Sequence, residues 1–167
     1  MFRNVMAPIA GGILLVAAGS VAAANKTTTF TVSAAVAANC NITAAPNLDF
    51  GNFDGSAVLT TSGDIKVRCS NGTPYSVKLS AGGGTYAQRL LSKGTDKLQY
   101  NLFTDLAHTN IWGDGTPSTS FNAGTGSGLS SAGEKTHTVY AQLPNSASNQ
   151  DAPVGSYNDS ITVTIEY

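Results

Sequence analysis

Apolar and polar residues alternate most clearly in two stretches of this chain, one near each end. In the final stretch SITVTIEY, Ile161, Val163, Ile165 and Tyr167 fall on one side, and Thr162, Thr164 and Glu166 on the other. That period of two predicts a strand with one face in a core. In the early stretch TTTFTVSAAVAANC, residues 27 to 40, Phe30, Val32, Ala34 and Val36 stand against Thr29, Thr31 and Ser33, again the pattern of a half-buried strand. Between them, short β-rich runs predict further strands over Asn47 to Phe50, Asp64 to Cys69, Tyr75 to Ser80, Lys97 to Thr104 and His137 to Leu143, with the last strand over Ser160 to Tyr167. In the run from Lys97, Leu98, Tyr100 and Leu102 alternate with Gln99 and Asn101, and only Phe103 breaks the period.

Clusters of Gly, Asn, Ser, Thr and Pro separate these runs and no convincing amphipathic helix intervenes, which suits an all-β sandwich or barrel. Gly113 to Gly133 holds 14 Gly, Ser or Thr residues out of 21, with only Phe121 and Leu129 to bury. It is expected to be a long, mobile surface loop, either a plain crossing between strands or a binding loop. The final strand raises a separate problem. A strongly apolar strand needs a neighbour on each side, or it presents an aggregation-prone edge.

The opening residues change the setting. MFRNVMAPIAGGILLVAAGSVAAA combines a single positive charge at Arg3, an apolar run and an Ala22-Ala23-Ala24 cleavage pattern. Residues 1–24 therefore read as a secretory leader rather than a membrane anchor, since the apolar stretch is short and rich in Gly and Ala. The remainder of the chain is long enough for one sandwich-sized domain. The formal charge of the whole chain is -1, and it is one unit more negative without Arg3, so no basic field exists to hold nucleic acid.

Cys40 and Cys69 are the only cysteines. In an oxidising compartment such a pair is most simply one disulfide, closing a loop worth about 3.5 kcal/mol by chain entropy. Two thiols without a nearby His lack the ligands of a zinc site, so no metal and no cofactor are expected. His108 and His137 lie among Thr and Asn residues and read as polar surface histidines. No nucleophile elbow or phosphate-binding glycine motif occurs, and the carboxylates are scattered, several in turn dipeptides such as Asp54-Gly55 and Asp114-Gly115. An enzyme is not expected. Trp112, in NIWGDG, is either an aromatic at the edge of the core or a sugar-stacking platform.

The stretches LDFGNFDG (48–55), VRCSNGTPYSVKLSAG (67–82), LQYNLFTD (98–105), TNIWGDG (109–115) and GSYNDSITVTIEY (155–167), with the Cys40 and Cys69 pair, resemble the spore coat protein U domain family. That family includes pilus subunits of archaic chaperone-usher systems, the Csu-type pili. One departure is His108, where an arginine is expected before the threonine, and residues 116 to 133 match nothing in the family pattern. The resemblance implies an incomplete immunoglobulin-like β-sandwich, residues 40–167, that lacks its last strand and is preceded by an N-terminal donor-strand extension, residues 25–39.

In such pilins the extension of one subunit fills a groove beside the last strand of its neighbour. Here the donor would present Phe30, Val32, Ala34 and Val36, and the acceptor groove and chaperone contact would be Ile161, Val163, Ile165 and Tyr167. The implied partners are neighbouring pilus subunits, a periplasmic chaperone and an outer-membrane usher, on an export route through the periplasm to the cell surface. Adhesion and biofilm formation are the implied role. A secreted coat component or a carbohydrate-binding module is the alternative.

Overall fold

The computed structural model describes residue 19 and residues 22–167. The leader expected over residues 1–24 lies outside the described residues apart from Gly19 and residues 22–24, which are exposed. The chain divides into two units, Met1–Ala35 and Val36–Tyr167. In the first, the described residues have no strand or helix, and Phe30 and Val32 are 87% and 83% exposed. The alternation from Thr27 therefore does not make a half-buried strand in this chain: residues 27–39 form no ladder among the described residues, and strand structure begins at Cys40.

The second unit is built from eight strands: β1 (Cys40–Ala44), β2 (Leu59–Cys69), β3 (Pro74–Leu79), β4 (Arg89–Lys93), β5 (Asp96–Phe103), β6 (Asn122–Thr125), β7 (Lys135–Leu143) and β8 (Val163–Glu166). One turn of helix, α1 (Ala147–Gln150), comes after β7. Five strands form one sheet in the order β1-β2-β7-β5-β4, and three form another in the order β6-β3-β8. Every strand pairing is antiparallel. The inward positions of both sheets meet in a single core that includes Ile65 and Val67 of β2, Val77 and Leu79 of β3, and Val139 and Ala141 of β7. Alternate residues of each strand face out, as two packed antiparallel sheets require.

Several elements depart from the periodicity. Asn47 to Phe50 is not a strand; its exposed and half-buried residues run along the sandwich, where Leu48 and Phe50 pack on the core. β2 begins at Leu59, earlier than Asp64, because Thr60 to Gly63 pair fully with β7 although they carry little apolar signal. Gly63 leaves room for the Pro46 ring and Leu48. β4 joins Leu90 and Leu91 side by side, which masks any period of two, and its ladder with β5 reveals it as an edge strand. Phe103, the residue out of phase, is buried on the opposite face of β5 from Leu98, Tyr100 and Leu102.

The segment from Gly113 to Gly133 is not a structureless loop. It contains β6, which pairs with β3 from Pro74↔Thr125 to Val77↔Asn122, and a single turn of 3-10 helix at Ser131–Gly133. A Cβ on Gly126 would collide with the carbonyls of Ser70 and Cys69. The glycine at this position lets the chain pass over the corner of β2 and exchange backbone hydrogen bonds with Gly72 (2.9 Å) and Thr73 (2.8 Å). Trp112 is fully buried, with its Nε1 donating to the Val77 carbonyl at 2.9 Å. It is a core residue and offers no face to a sugar. His137 is half-buried rather than a surface residue, with Nε2 3.0 Å from the Tyr75 hydroxyl. Burial pulls its pKa below the ordinary histidine value.

Candidate functional site

The last strand is an edge. β8 pairs only with β3, in the register Leu79↔Val163, Lys78↔Thr164, Val77↔Ile165 and Ser76↔Glu166. Its other side has no strand partner among the described residues. Thr162, just before β8, accepts the N–H of Ser80 at 3.0 Å and donates its own N–H to the Ser80 hydroxyl at 2.9 Å. Hydrogen-bonded pairs alternate along an antiparallel ladder, so Thr164 and Glu166 are bonded to β3 as well. The N–H and C=O groups of Val163 and Ile165 point to the free side. These are also the residues whose side chains turn inward: Ile161, Val163 and Ile165 are half-buried while Thr162, Thr164 and Glu166 are exposed.

Beside this free edge the sandwich is split by a groove of about 530 Å³. One wall is Leu79, Ile161 and Val163, and the other is the Ala45 to Phe50 stretch. The floor reaches the interior of the five-stranded sheet at Ile65, Leu102, Val139 and Ala141. Residues that belong to the core thus line an open trough. Of the four expected acceptor residues, Ile161 and Val163 line it. Ile165 packs against the core further along, and Tyr167, beyond the last ladder pair, is 59% exposed.

One end of the groove is polar and tied shut. Asp159 accepts the N–H groups of Gly83 (2.9 Å) and Ser160 (2.8 Å) and the hydroxyl of Tyr100 (2.6 Å). Burial, and after it the bond to Asp159, pushes the Tyr100 phenol far above its ordinary pKa, so it remains a neutral donor. Asn158 exchanges backbone hydrogen bonds with Ser92 of β4 at 2.8 and 3.1 Å. The chain therefore crosses from the edge of the large sheet to that of the small one at this point. Arg89 beneath it is fully buried and donates to the Ser80 carbonyl (3.1 and 2.8 Å), Asn101 Oδ1 (2.6 Å) and the Trp112 carbonyl (2.7 Å). Burial lowers its pKa from the ordinary arginine value. These bonds to neutral acceptors join β3, β5 and the Trp112 segment under the groove.

Leu48, Phe50, Leu91, Tyr100 and Asp159 are groove residues that the sequence pattern does not reveal. The LDFGNFDG motif carries the first two, but a strand reading hides their role. The polar end depends on residues from three separate segments and leaves no local signal.

Cys40 and Cys69 face each other across the β1–β2 ladder and form the disulfide. Just before it, the Ser70 N–H donates to the Asn39 carbonyl at 2.8 Å, and Ser70 Oγ accepts the Asn39 N–H at 3.1 Å and donates to the Ala37 carbonyl at 3.3 Å. The backbone is thus fixed from Ala37 onward, while the side chain of Val36 is almost wholly exposed. No group of three or more His, Cys, Asp or Glu side chains suited to a metal occurs among the described residues.

An antiparallel sandwich of immunoglobulin type, with an open edge beside an apolar groove, is the class these features define. The chain belongs to the Spore Coat Protein U domain family, which matches residues 26–164. Among solved structures it is similar to the CsuC-CsuE chaperone-tip adhesion subunit pre-assembly complex from archaic chaperone-usher Csu pili of Acinetobacter baumannii, at 26% identity and a TM-score of 0.55. That likeness covers 79% of this chain and 40% of the other, so this chain spans well under half of that relative's length. A chaperone-usher pilus structure that addresses rod uncoiling matches at 18% identity and a TM-score of 0.51, covering 90% of this chain and 99% of that one, and shows the shared fold. No curated protein matches the sequence. The family and these neighbours are structural components and chaperone complexes, not enzymes.

Proposed function

We propose that this protein is a structural subunit of a chaperone-usher surface pilus that polymerises by donor-strand complementation. One observation carries the reading: the edge of β8 facing away from β3 has no strand partner among the described residues and lies beside a groove of about 530 Å³ that reaches the core, while an alternating apolar segment of the same chain is exposed. The extension of one copy, with Phe30, Val32, Ala34 and Val36 turned inward, supplies the missing strand to the next copy. Backbone hydrogen bonds to Val163 and Ile165 close the edge, and the side chains fill the trough. Burying Phe30, Val32 and Val36 contributes about 1.5 to 3 kcal/mol each before the cost of ordering the extension.

The two contacting surfaces differ, so the contact repeats without closing and yields a filament. The same open groove is the surface that a periplasmic chaperone protects before an outer-membrane usher exchanges it for the next extension. Surface display, adhesion and biofilm formation accord with this reading. The likeness to chaperone-usher assemblies supports it, as does family membership across nearly all of the extension and body.

The deciding experiment removes residues 27–37 and tracks assembly of the purified protein by electron microscopy and by heat-resistant bands on gels. The full exported chain is expected to form linear polymers and the deletion to remain monomeric. Equal polymer formation by both would show that the extension is not the donor.

A further inference from the structure

The outward face of the five-stranded sheet holds a second cavity, of about 260 Å³. Phe103, Ile111, Ala87 and Pro144 give it an apolar lining, and Gln88, Gln99 and Gln142 line it with primary amides. No charged side chain contributes to it.

Its walls are held by hydrogen bonds. Asn101 Nδ2 donates to the carbonyls of Tyr86 (2.9 Å) and Ala87 (3.2 Å), which fixes the segment leading into β4. Asn149 Nδ2 donates to the carbonyls of Pro144 (2.8 Å) and Gln99 (2.9 Å), and its Oδ1 accepts the Gln99 N–H at 2.7 Å, so α1 is locked to the edge of the cavity. Ile111 bridges to Phe103, and the neighbouring Trp112 N–H donates to the Leu102 carbonyl at 2.9 Å. The three glutamine side chains are the exception. None has a hydrogen-bond partner among the described residues, and none is a buried unsatisfied group, so their amides remain open to solvent.

A fixed apolar lining with free neutral amides defines the chemistry of a ligand. Each glutamine offers two N–H donors and one carbonyl acceptor. Gln142 pairs with Asn101 across the β5–β7 ladder. Gln99 lies two residues before Asn101 on the same face, and such diagonal neighbours stand about 7 to 8 Å apart, close enough for their side chains to meet opposite edges of one ring. With no cation present, phosphate and carboxylate groups have no counter-charge. Phe103 is nearly covered, which leaves too little of its ring to stack a flat base. We propose that this cavity binds a single neutral sugar ring, with its hydroxyls on the three amides and its C–H face on Ile111, Pro144 and Ala87.

The site is on the opposite face of β5 from the groove, so its test is independent of polymerisation. The full exported chain, as purified, is titrated with glucose, galactose, mannose and N-acetylglucosamine, and with glucuronic acid as the charged comparison. Saturation-transfer NMR and calorimetry report binding. At least one neutral sugar is expected to bind saturably and glucuronic acid more weakly. Gln99→Ala and Gln142→Ala are each expected to weaken binding roughly tenfold, and Ala87→Trp, which fills the cavity, to abolish it. The deletion of residues 27–37 is expected to retain binding, which separates this site from the donor-strand reading. Absence of saturable binding to all four neutral sugars, or unchanged affinity in both glutamine variants, would overturn the proposal.

Discussion

The backbone N–H of Ser80 donates to the carbonyl of Thr162 at 3.0 Å, and this bond determines which side of the last strand is left free. It puts Thr164 in a hydrogen-bonded pair with Lys78 and turns the N–H groups of Val163 and Ile165 away from β3. Proline has no N–H, so its effect at neighbouring positions should differ in kind. Val163→Pro should leave the β3 ladder and the monomer's melting temperature near wild type while abolishing polymerisation. Thr164→Pro should cost about 3 kcal/mol of stability because it breaks a ladder bond. Thermal melts and polymer gels on the two variants check this, and the reverse ordering would show that the free side is misassigned.

His137 gives a stability that depends on pH. Its ring lies edge-on to Tyr75, with centroids 5.7 Å apart, and burial lowers its pKa from the ordinary 6.5. The unfolded chain therefore takes up the proton first as pH falls. Stability is complete above about pH 6.5, declines below it, and levels off once pH passes the folded value. Glu134, hydrogen-bonded by Arg68, and Asp114, hydrogen-bonded by Thr116, are held below the usual carboxylate range and weaken the fold only in stronger acid. Melting temperatures should fall as pH drops below about 6.5 in the wild type and stay nearly flat over the same range in His137→Gln. An identical slope in both proteins would assign the effect elsewhere.

How far a residue can be read from the sequence depends on whether its environment is local. The alternation of Ile161, Val163 and Ile165 survives in the structure because β8 has one solvent face and one core face. Phe103 breaks the period for a physical reason: a second layer, formed by His108 and the Ile111 segment, covers the outer face of β5 there. β4 has no periodic signal because Arg89 is buried under the groove and Leu90 and Leu91 lie in sequence, so neither face has a clean polarity. The groove is legible only along β8. Its floor and its Tyr100–Asp159 end are assembled from segments far apart in the chain. β6 is hidden by composition, since glycines required for close approach look the same in a sequence as glycines in a flexible loop.

Gly126 separates those two kinds of glycine by experiment. It sits where a Cβ would meet the backbone carbonyls of Ser70 and Cys69, atoms that cannot swing aside as a side-chain end can. Gly126→Ala should therefore destabilise the fold by about 1 to 3 kcal/mol, the usual cost of overpacking. Gly94→Ala is a comparison without a steric neighbour, although its φ of 60° disfavours alanine. It should cost roughly 1 kcal/mol through the backbone alone. Denaturant midpoints distinguish the two, and equal losses would mean that the Gly113 to Gly133 segment is loosely packed.

The disulfide and Ser70 divide the work of anchoring the base of the extension. β1 is an edge strand of only five residues, held to β2 by its ladder, by the Cys40–Cys69 bond and by Glu134, which links Thr43 (3.0 Å) to Arg68 (2.8 Å). The cysteines are 29 residues apart, so releasing them restores the entropy of a loop worth about 3.5 kcal/mol. Ser70→Ala removes the side-chain bonds to Asn39 and Ala37 but leaves the backbone bond to Asn39, a loss of about 1 kcal/mol. Urea midpoints should therefore decrease from the oxidised wild type through Ser70→Ala to the Cys40→Ser/Cys69→Ser double variant. A larger loss from Ser70→Ala than from the double cysteine variant would make the hydrogen-bonded clamp, and not the covalent bond, the principal anchor.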